Sequence, residues 1–181
     1  YSKNVHQTLY PASLTKVMTA LVALQHGSLD QTLTATSAVN ITEAGAQLCG
    51  LKSGDTMTLD QALRILLVYS ANDAAMLIAE NIGGTVENFV EMMNQEARRL
   101  GATNTHFANP HGLTDPEHYT TAYDLYLILN EAVKYDTFNE IIQMPVYQTT
   151  YFDKNGKEKT FDKSTTNLFI KGDYQSPANV N

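Results

Sequence analysis

The feature that most constrains the fold is a helix-length segment, residues 14–25, whose side chains are apolar on nearly every face of the predicted helix. A surface helix shows an apolar stripe and a polar face, whereas a helix that is apolar all round is enclosed by other elements. Its longest apolar run, residues 17–24, is far shorter than the roughly 20 residues that span a bilayer. We therefore expect this helix at the centre of a domain, with Gly27 ending it.

The composition is that of a folded, acidic domain. Hydrophobic residues make up 43% of the 181 residues, and the formal net charge is −7. A chain of this size buries roughly 70% of the surface that its unfolded form exposes, so we expect a single domain over residues 1–181. The scattered negative charge argues against nucleic acid and anionic membrane surfaces as partners. The single cysteine, Cys49, excludes an internal disulfide.

Beyond the central helix, apolar periodicity and turn residues predict mostly helices. Thr58 and Gln61 form the pattern of a capping box at the start of one of them. The predicted helices cover residues 59–68, 73–82, 87–100 and 122–135, and the predicted strands cover 32–39, 146–152 and 157–161, the last two joined by a hairpin turn. The sequence therefore indicates an α+β chain with about five helices and too few strands for a large sheet.

A serine and a lysine, Ser13 and Lys16, stand three residues apart where the central helix begins. At helical spacing such residues share a face, so the hydroxyl and the amine can meet. A lysine among apolar side chains loses hydration of its charged form, its pKa falls, and the neutral amine can activate the serine as a nucleophile. The alternative interpretation makes Ser13 an ordinary helix N-cap and directs Lys16 outward to solvent.

A second pair, Ser70 and Asn72, lies in a break between two predicted helices. Residues two apart in an extended link point the same way, so both side chains could reach one cleft, although ordinary capping of helix ends is the alternative. Either pair alone is common, and residues 2–4 repeat the second spacing. Ser-x-x-Lys followed by Ser-x-Asn is, however, the order of motifs in penicillin-recognising serine enzymes.

The residues around these motifs resemble the D-alanyl-D-alanine carboxypeptidases, which are low-molecular-mass penicillin-binding proteins. The similarity lies in segments 11–20, 51–55, 66–75, 105–113 and 119–125 and extends over most of the chain, from about residue 1 to residue 168. The resemblance implies a β-lactamase/transpeptidase-like fold and a serine-type peptidase that needs neither a metal nor an organic cofactor. It also implies a protein that acts outside the cytoplasmic membrane, either secreted or membrane-anchored.

The resemblance further implies a role for each residue of the two motifs. Ser13 would attack the carbonyl of the penultimate D-alanine of a peptidoglycan stem peptide and form an acyl-enzyme, and Lys16 would take the serine proton. Ser70 would relay a proton towards the leaving D-alanine, and Asn72 would bind the substrate amide. Penicillins and other β-lactams would inhibit the protein covalently by acylating Ser13.

A third family motif, Lys-Thr-Gly or Lys-Ser-Gly on a late strand, is not found at its expected place. Residues 52–54 read Lys-Ser-Gly but precede Ser70 and lie in a predicted turn, and residues 171–173 lack the middle residue. We therefore expect the helical part of a partial penicillin-binding catalytic domain, with terminal sheet strands missing. We also expect little or no carboxypeptidase activity from these residues alone, which stoichiometric labelling of Ser13 by a fluorescent penicillin would contradict.

Other interpretations stay open at this point. A β-lactamase of the same fold would use an additional glutamate, and no Glu-x-x-Leu-Asn segment is present. A non-catalytic module could keep the fold and bind cell-wall peptide. The histidines of the chain, together with Asp115, could suggest a zinc site or a serine triad, but their spacing matches no metal-ligand pattern: His6, His26, His106, His111, His118. Cys49 and His111 could form the catalytic pair of a cysteine protease.

Overall fold

The computed structural model describes residues 3–172, which form seven α-helices and one four-stranded sheet. The helices are α1 (Thr15–His26), α2 (Leu59–Tyr69), α3 (Asn72–Gly83), α4 (Val86–Arg99), α5 (Ala122–Ala132), α6 (Asp136–Ile142) and α7 (Leu168–Lys171). The strands are β1 (Thr32–Thr34), β2 (Thr56–Thr58), β3 (Val146–Phe152) and β4 (Glu158–Ser164). Short 3₁₀ turns lie at Ala12–Leu14 and Ser37–Val39. The expected α+β architecture, dominated by helices, is confirmed.

Helix α1 lies at the centre of the helical layer, as its apolar composition predicts. It packs against α2, α3, α4 and α5, and the side chains of Met18, Leu21 and Val22 have no exposed surface. Burying side chains of this size contributes about 1.5–3 kcal/mol each relative to leaving them in water. The first turn of this buried helix carries Lys16, and the 3₁₀ turn directly before it carries Ser13.

Gly27 ends α1 as expected, but the reason is packing and not a left-handed cap. Its backbone is extended, with φ −107°. A Cβ at this position would lie 2.4 Å from Cδ2 of Leu59 and 2.7 Å from Cδ1 of Ile82. Glycine lets the start of α2 and the end of α3 close over the C-terminal end of α1.

The predicted capping box at the start of α2 is confirmed. The Thr58 hydroxyl accepts a hydrogen bond from the Gln61 N–H at 3.2 Å, and Oε1 of Gln61 accepts one from the Thr58 N–H at 2.9 Å. These two bonds satisfy backbone donors that the first turn of a helix leaves unpaired. The start of α2 is thus well defined by its own side chains.

The strands pair antiparallel in the order β1-β2-β3-β4. β3 and β4 form the predicted hairpin, with Val146 opposite Ser164 at one end and Phe152 opposite Glu158 at the other. β2 meets β3 only where Thr56 lies opposite Phe152. The sheet within residues 3–172 is therefore narrow, as the sequence indicates.

Two expectations about elements are wrong, and one strand has no counterpart in the sequence prediction. The predicted strand 32–39 stops at Thr34, because Thr36 caps a 3₁₀ turn by accepting from the Ala38 N–H. Strand β2 was not predicted, since three residues carry no readable alternation. The predicted helix 122–135 ends at Ala132, and α6 follows as a separate helix. The weakly patterned tail expected from Lys171 falls mostly outside the described residues. Within the described part, no helix has the length and hydropathy of a membrane span.

Candidate active site

Ser13 lies in the 3₁₀ turn that leads into α1. Ala12, just before it, has φ +49°, a left-handed conformation that residues other than glycine seldom adopt. The N-cap position of α1 belongs to Leu14, with no capping bond from a side chain. The N-cap interpretation of Ser13 is therefore wrong. Its exposed side chain lines a cavity of about 540 Å³ together with Lys16 and Ser70.

Lys16 occupies the first turn of α1 and is only 3% exposed. Its Nζ donates hydrogen bonds of 2.7 Å to Oδ1 of Asn72 and 2.7 Å to the backbone carbonyl of His111. Burial removes hydration from the ammonium form and lowers the pKa of Lys16 to about 8. The interpretation of Lys16 as a solvated surface lysine is therefore wrong, and a measurable share of the amine is neutral near pH 7.

Ser70 and Asn72 lie where α2 ends and α3 begins. Ser70 has φ +62°, and the backbone at Ala71 is extended, so the helical conformation is interrupted between the two helices. Asn72 is 5% exposed, and its N–H donates to the carbonyl of Gln47 at 2.8 Å. Ser13, Ser70 and Asn72 line a second cavity, of about 490 Å³. The structure thus brings all four predicted side chains to one cleft.

The segment 108–118, called the covering loop here, crosses the N-terminal turn of α1. Nδ1 of His118 accepts a hydrogen bond from the Ala108 N–H at 2.9 Å, so Nε2 carries the hydrogen and donates to the Thr15 hydroxyl at 2.7 Å. Burial lowers the pKa of His118 to about 4, which keeps the ring neutral at physiological pH. The covering loop is thus fixed to the helix beside Ser13 by a buried, uncharged pair.

Two further contacts hold the covering loop close to the nucleophile turn. The Thr19 hydroxyl donates to the carbonyl of Pro110 at 2.6 Å. Gly112 has φ +89°, and a Cβ there would lie 1.9 Å from the carbonyl oxygen of Ala12. Only glycine permits this approach, since the atom it meets belongs to backbone. The strained turn at Ala12 is therefore packed directly beneath the loop.

The site also contains groups that the sequence motifs did not indicate. The carbonyls of Gln47 and His111 accept from Asn72 and Lys16, but every residue has a backbone carbonyl, so these positions carry no side-chain signal. Gly112 lies within a segment that resembles the family, but a single glycine in a sequence does not predict that the backbone of Gly112 lies against the carbonyl of Ala12. Only the surrounding resemblance points to the covering loop.

Among the described residues, the zinc and the cysteine-protease alternatives gain no support from the structure. Within residues 3–172, no three His, Cys, Asp or Glu side chains lie where they could hold a metal ion. The Cys49 thiol donates to Oδ1 of Asp73, and burial, reinforced by the Asp73 charge, raises the pKa of the thiol. A protonated, half-buried thiol is a poor nucleophile. Burial, followed by the nearby Lys16 charge, lowers the pKa of His111 to about 4.

Comparison with known proteins places the chain in a family. The family model described as D-alanyl-D-alanine carboxypeptidase matches residues 1–176. The chain is 35% identical over 176 residues to D-alanyl-D-alanine carboxypeptidase DacF of Bacillus subtilis, covering 94% of this chain and 44% of that protein. It is 40% identical over 137 residues to DacB2 of Mycobacterium tuberculosis, covering 75% of this chain and 46% of that protein. The chain thus spans less than half the length of these curated relatives.

The fold comparison agrees with the sequence comparison. The solved structure of the Streptomyces K15 DD-transpeptidase superposes with a TM-score of 0.88 and 30% sequence identity, over 95% of this chain and 70% of that one. The expected β-lactamase/transpeptidase-like fold is confirmed by this superposition, and the expected family by the match of the family model to nearly the whole chain. The chain belongs to the D-alanyl-D-alanine carboxypeptidase family.

Proposed function

We propose that this chain carries the acylation machinery of a serine-type D-alanyl-D-alanine carboxypeptidase, with Ser13 as nucleophile and Lys16 as its base. One observation carries the proposal. A neutral lysine amine has two N–H donors and one lone pair. The two acceptors around Nζ of Lys16, on Asn72 and His111, match the two donors. The lone pair is then the position left for the proton of a nucleophile.

The acylation step follows from this arrangement. Ser13 Oγ forms a bond to the carbonyl carbon of the penultimate D-alanine, and its proton passes to Nζ of Lys16. The resulting ammonium keeps both acceptors, which favour the charged form once it appears. The Ser13 N–H, in the 3₁₀ turn that leads into α1, is suited to donate to the oxyanion, where the dipole of α1 also favours negative charge.

Ser70 and Asn72 complete the proposed step. The Ser70 hydroxyl, in the same cavity as Ser13 and Lys16, passes its proton to the nitrogen of the leaving D-alanine as the C–N bond breaks, and it takes the proton of the Lys16 ammonium in exchange. Because Oδ1 of Asn72 accepts from Lys16, its Nδ2 is the end that would donate to a substrate carbonyl. Water then attacks the acyl-enzyme, releases the shortened peptide and returns the proton to Ser13.

The proposed substrate sets the partners and the place of action. A stem pentapeptide of peptidoglycan ends in D-alanyl-D-alanine and lies outside the cytoplasmic membrane, so the protein would act there, secreted or anchored. A β-lactam presents a strained amide to Ser13 and would leave a stable acyl-enzyme. We propose β-lactams as covalent inhibitors and, from the resemblance, no metal or organic cofactor.

Replacement of Ser13 by alanine tests the proposal in the full-length protein. We expect Ser13→Ala to abolish both covalent labelling by a fluorescent penicillin and release of D-alanine from a D-Ala-D-Ala peptide. The matched control is Ser53→Ala, another exposed serine in a turn, in the rejected Lys-Ser-Gly segment, which should retain both activities. Labelling that survives Ser13→Ala would refute the proposal. Rapid turnover of penicillin by the unmodified protein would favour the β-lactamase alternative, and retained peptide affinity without any acylation would favour the non-catalytic module.

A further inference from the structure

Asp73 lies next to Asn72 in the first turn of α3, and its carboxylate is buried, with the residue 1% exposed. Within residues 3–172 it forms no ion pair with a lysine, arginine or histidine at salt-bridge distance. Its oxygens accept instead from four backbone N–H groups and one thiol: Cys49 N at 2.9 Å, Cys49 Sγ at 3.3 Å, Ala74 N at 3.1 Å, Gly50 N at 2.9 Å and Leu51 N at 3.0 Å. Such a set of donors compensates a buried negative charge.

Three of the backbone donors belong to the segment 47–51, called the strap here. The other end of the strap is attached to the break between α2 and α3. The carbonyl of Gln47 accepts from the Asn72 N–H at 2.8 Å, and the side-chain amide of Gln47 donates to the carbonyl of Tyr69. Gln47 also lines the cavity that contains Ser13, Ser70 and Asn72. Asp73 therefore holds one end of a strap whose other end forms part of the cleft wall.

The thiol in this cluster supports a structural role and not a reactive one. Burial, together with the Asp73 charge, raises the pKa of Cys49, so the thiol stays protonated and donates to the carboxylate. Nothing in the cluster faces the cavity as a nucleophile, because neither Cys49 nor Asp73 is among the residues that line it. The contribution of Asp73 must then reach the site through the residues that it holds.

We propose that Asp73 is a positioning residue for acylation: it fixes the strap, the strap fixes Asn72, and Asn72 holds the amine of Lys16. The inference rests on the proposed function for its kinetic consequence. The contact of Asn72 with the strap and the contact of Asn72 with Lys16 are made by different groups, the backbone N–H and Oδ1. A shift of the strap is thus transmitted through one residue to the proposed base.

Asp73→Asn is the discriminating variant. The amide is the same size, but one of its two acceptor oxygens becomes an NH₂ group that faces N–H donors. The matched control is Asp55→Asn. Asp55 is also buried, at 2% exposed, and lies just beyond the strap, but its carboxylate accepts from the Lys52 N–H and from Lys159 and not from the strap or α3. Both variants remove one buried carboxylate charge.

The test resolves acylation by a fluorescent penicillin into the dissociation constant of the initial complex and the first-order acylation constant. Both are measured in full-length protein at a temperature where each variant is folded. Because misplacement of a catalytic group by about 1 Å costs roughly 100-fold, we expect Asp73→Asn to lower the first-order constant by at least about 30-fold and Asp55→Asn to change it less than about threefold. Hydrogen exchange at the Asn72 amide should lose protection in Asp73→Asn only.

The outcomes separate the two proposals. A first-order constant in Asp73→Asn within threefold of the parent, or an Asn72 amide that stays protected, overturns the inference. A parent protein that is never acylated refutes the proposed function instead, and the exchange measurement still tests the link from Asp73 to Asn72. If Asp73→Asn does not fold, Gly50→Ala is the substitute, since Gly50 has φ +87° with open space around it and alanine only disfavours that conformation. It should lower the first-order constant at least about threefold, and an unchanged constant counts against the inference.

Discussion

Raising the pH should accelerate acylation of Ser13 up to about pH 8 and then have little further effect. Burial sets the pKa of Lys16 to about 8, so its neutral fraction is roughly 1% at pH 6, roughly 9% at pH 7 and about 50% at pH 8. If the neutral amine is the base, the second-order rate constant should rise about 50-fold between pH 6 and pH 8. Between pH 8 and pH 9.5 it should rise only about twofold.

The upper pH range distinguishes this account from its competitors. A solvated lysine with the ordinary value of 10.5 would give about a 30-fold rise between pH 8 and pH 9.5, and a mechanism without a titrating base would give none below pH 8. The assay is the time course of labelling by a fluorescent penicillin in the full-length protein, corrected for hydrolysis of the reagent by hydroxide. A control variant, Lys134→Met, removes an exposed lysine that pairs with Glu131 and should reproduce the parent profile. A steep rise that continues to pH 9.5 would refute the assignment of a buried base.

Three further predictions concern stability. Because burial lowers the pKa of Lys16, the folded chain binds fewer protons than the unfolded chain, and the parent should gain stability, by up to about 3 kcal/mol, as the pH rises from about 8 to 10.5. Lys16→Met should remove this gain, and denaturant unfolding at several pH values measures it. Gly112→Ala places an alanine in a left-handed conformation against the Ala12 carbonyl, so we expect the free energy of unfolding to fall by at least about 2 kcal/mol and penicillin labelling to slow. A melting temperature equal to that of the parent would contradict the packing described. Thr58→Ala removes one capping bond to Gln61 and should cost about 1 kcal/mol in thermal unfolding without changing labelling, whereas a large loss of labelling would mean that the start of α2 affects the site.

Much of the helical part of the fold could be predicted from the sequence, because long elements repeat their signal. Helices α1, α2 and α4 each carry several turns of apolar periodicity, and all three lie within one or two residues of their predicted bounds. The junction between α5 and α6 could not be predicted, since residues 133–135 contain neither glycine nor proline to mark a break. Strand β2 has three residues, and its pairing to β1 and β3 is decided by tertiary contacts.

The candidate site also has one part that could be predicted from the sequence and one part that could not. Four site residues could be predicted, because their chemistry lies in their side chains and their order forms a pattern: Ser13, Lys16, Ser70 and Asn72. The structure brings these four side chains to one cleft. Their proposed catalytic roles stay predictions. The carbonyl that receives Lys16 was not predictable, because a backbone acceptor leaves no mark on residue identity. Asp73 is visible in the sequence as one more acid in a helix, and only its five bonds reveal what it holds.

The two bonds of the Lys16 amine come from parts of the chain that are 56 and 95 residues away in sequence. Neither bond, nor the burial that accompanies them, exists until α1, the start of α3 and the covering loop have assembled. In a newly synthesised or unfolded chain Lys16 is an ordinary hydrated cation, and the serine beside it an ordinary alcohol. On the proposed mechanism, the Ser13–Lys16 pair is therefore chemically inert towards amides until the tertiary structure around it is complete.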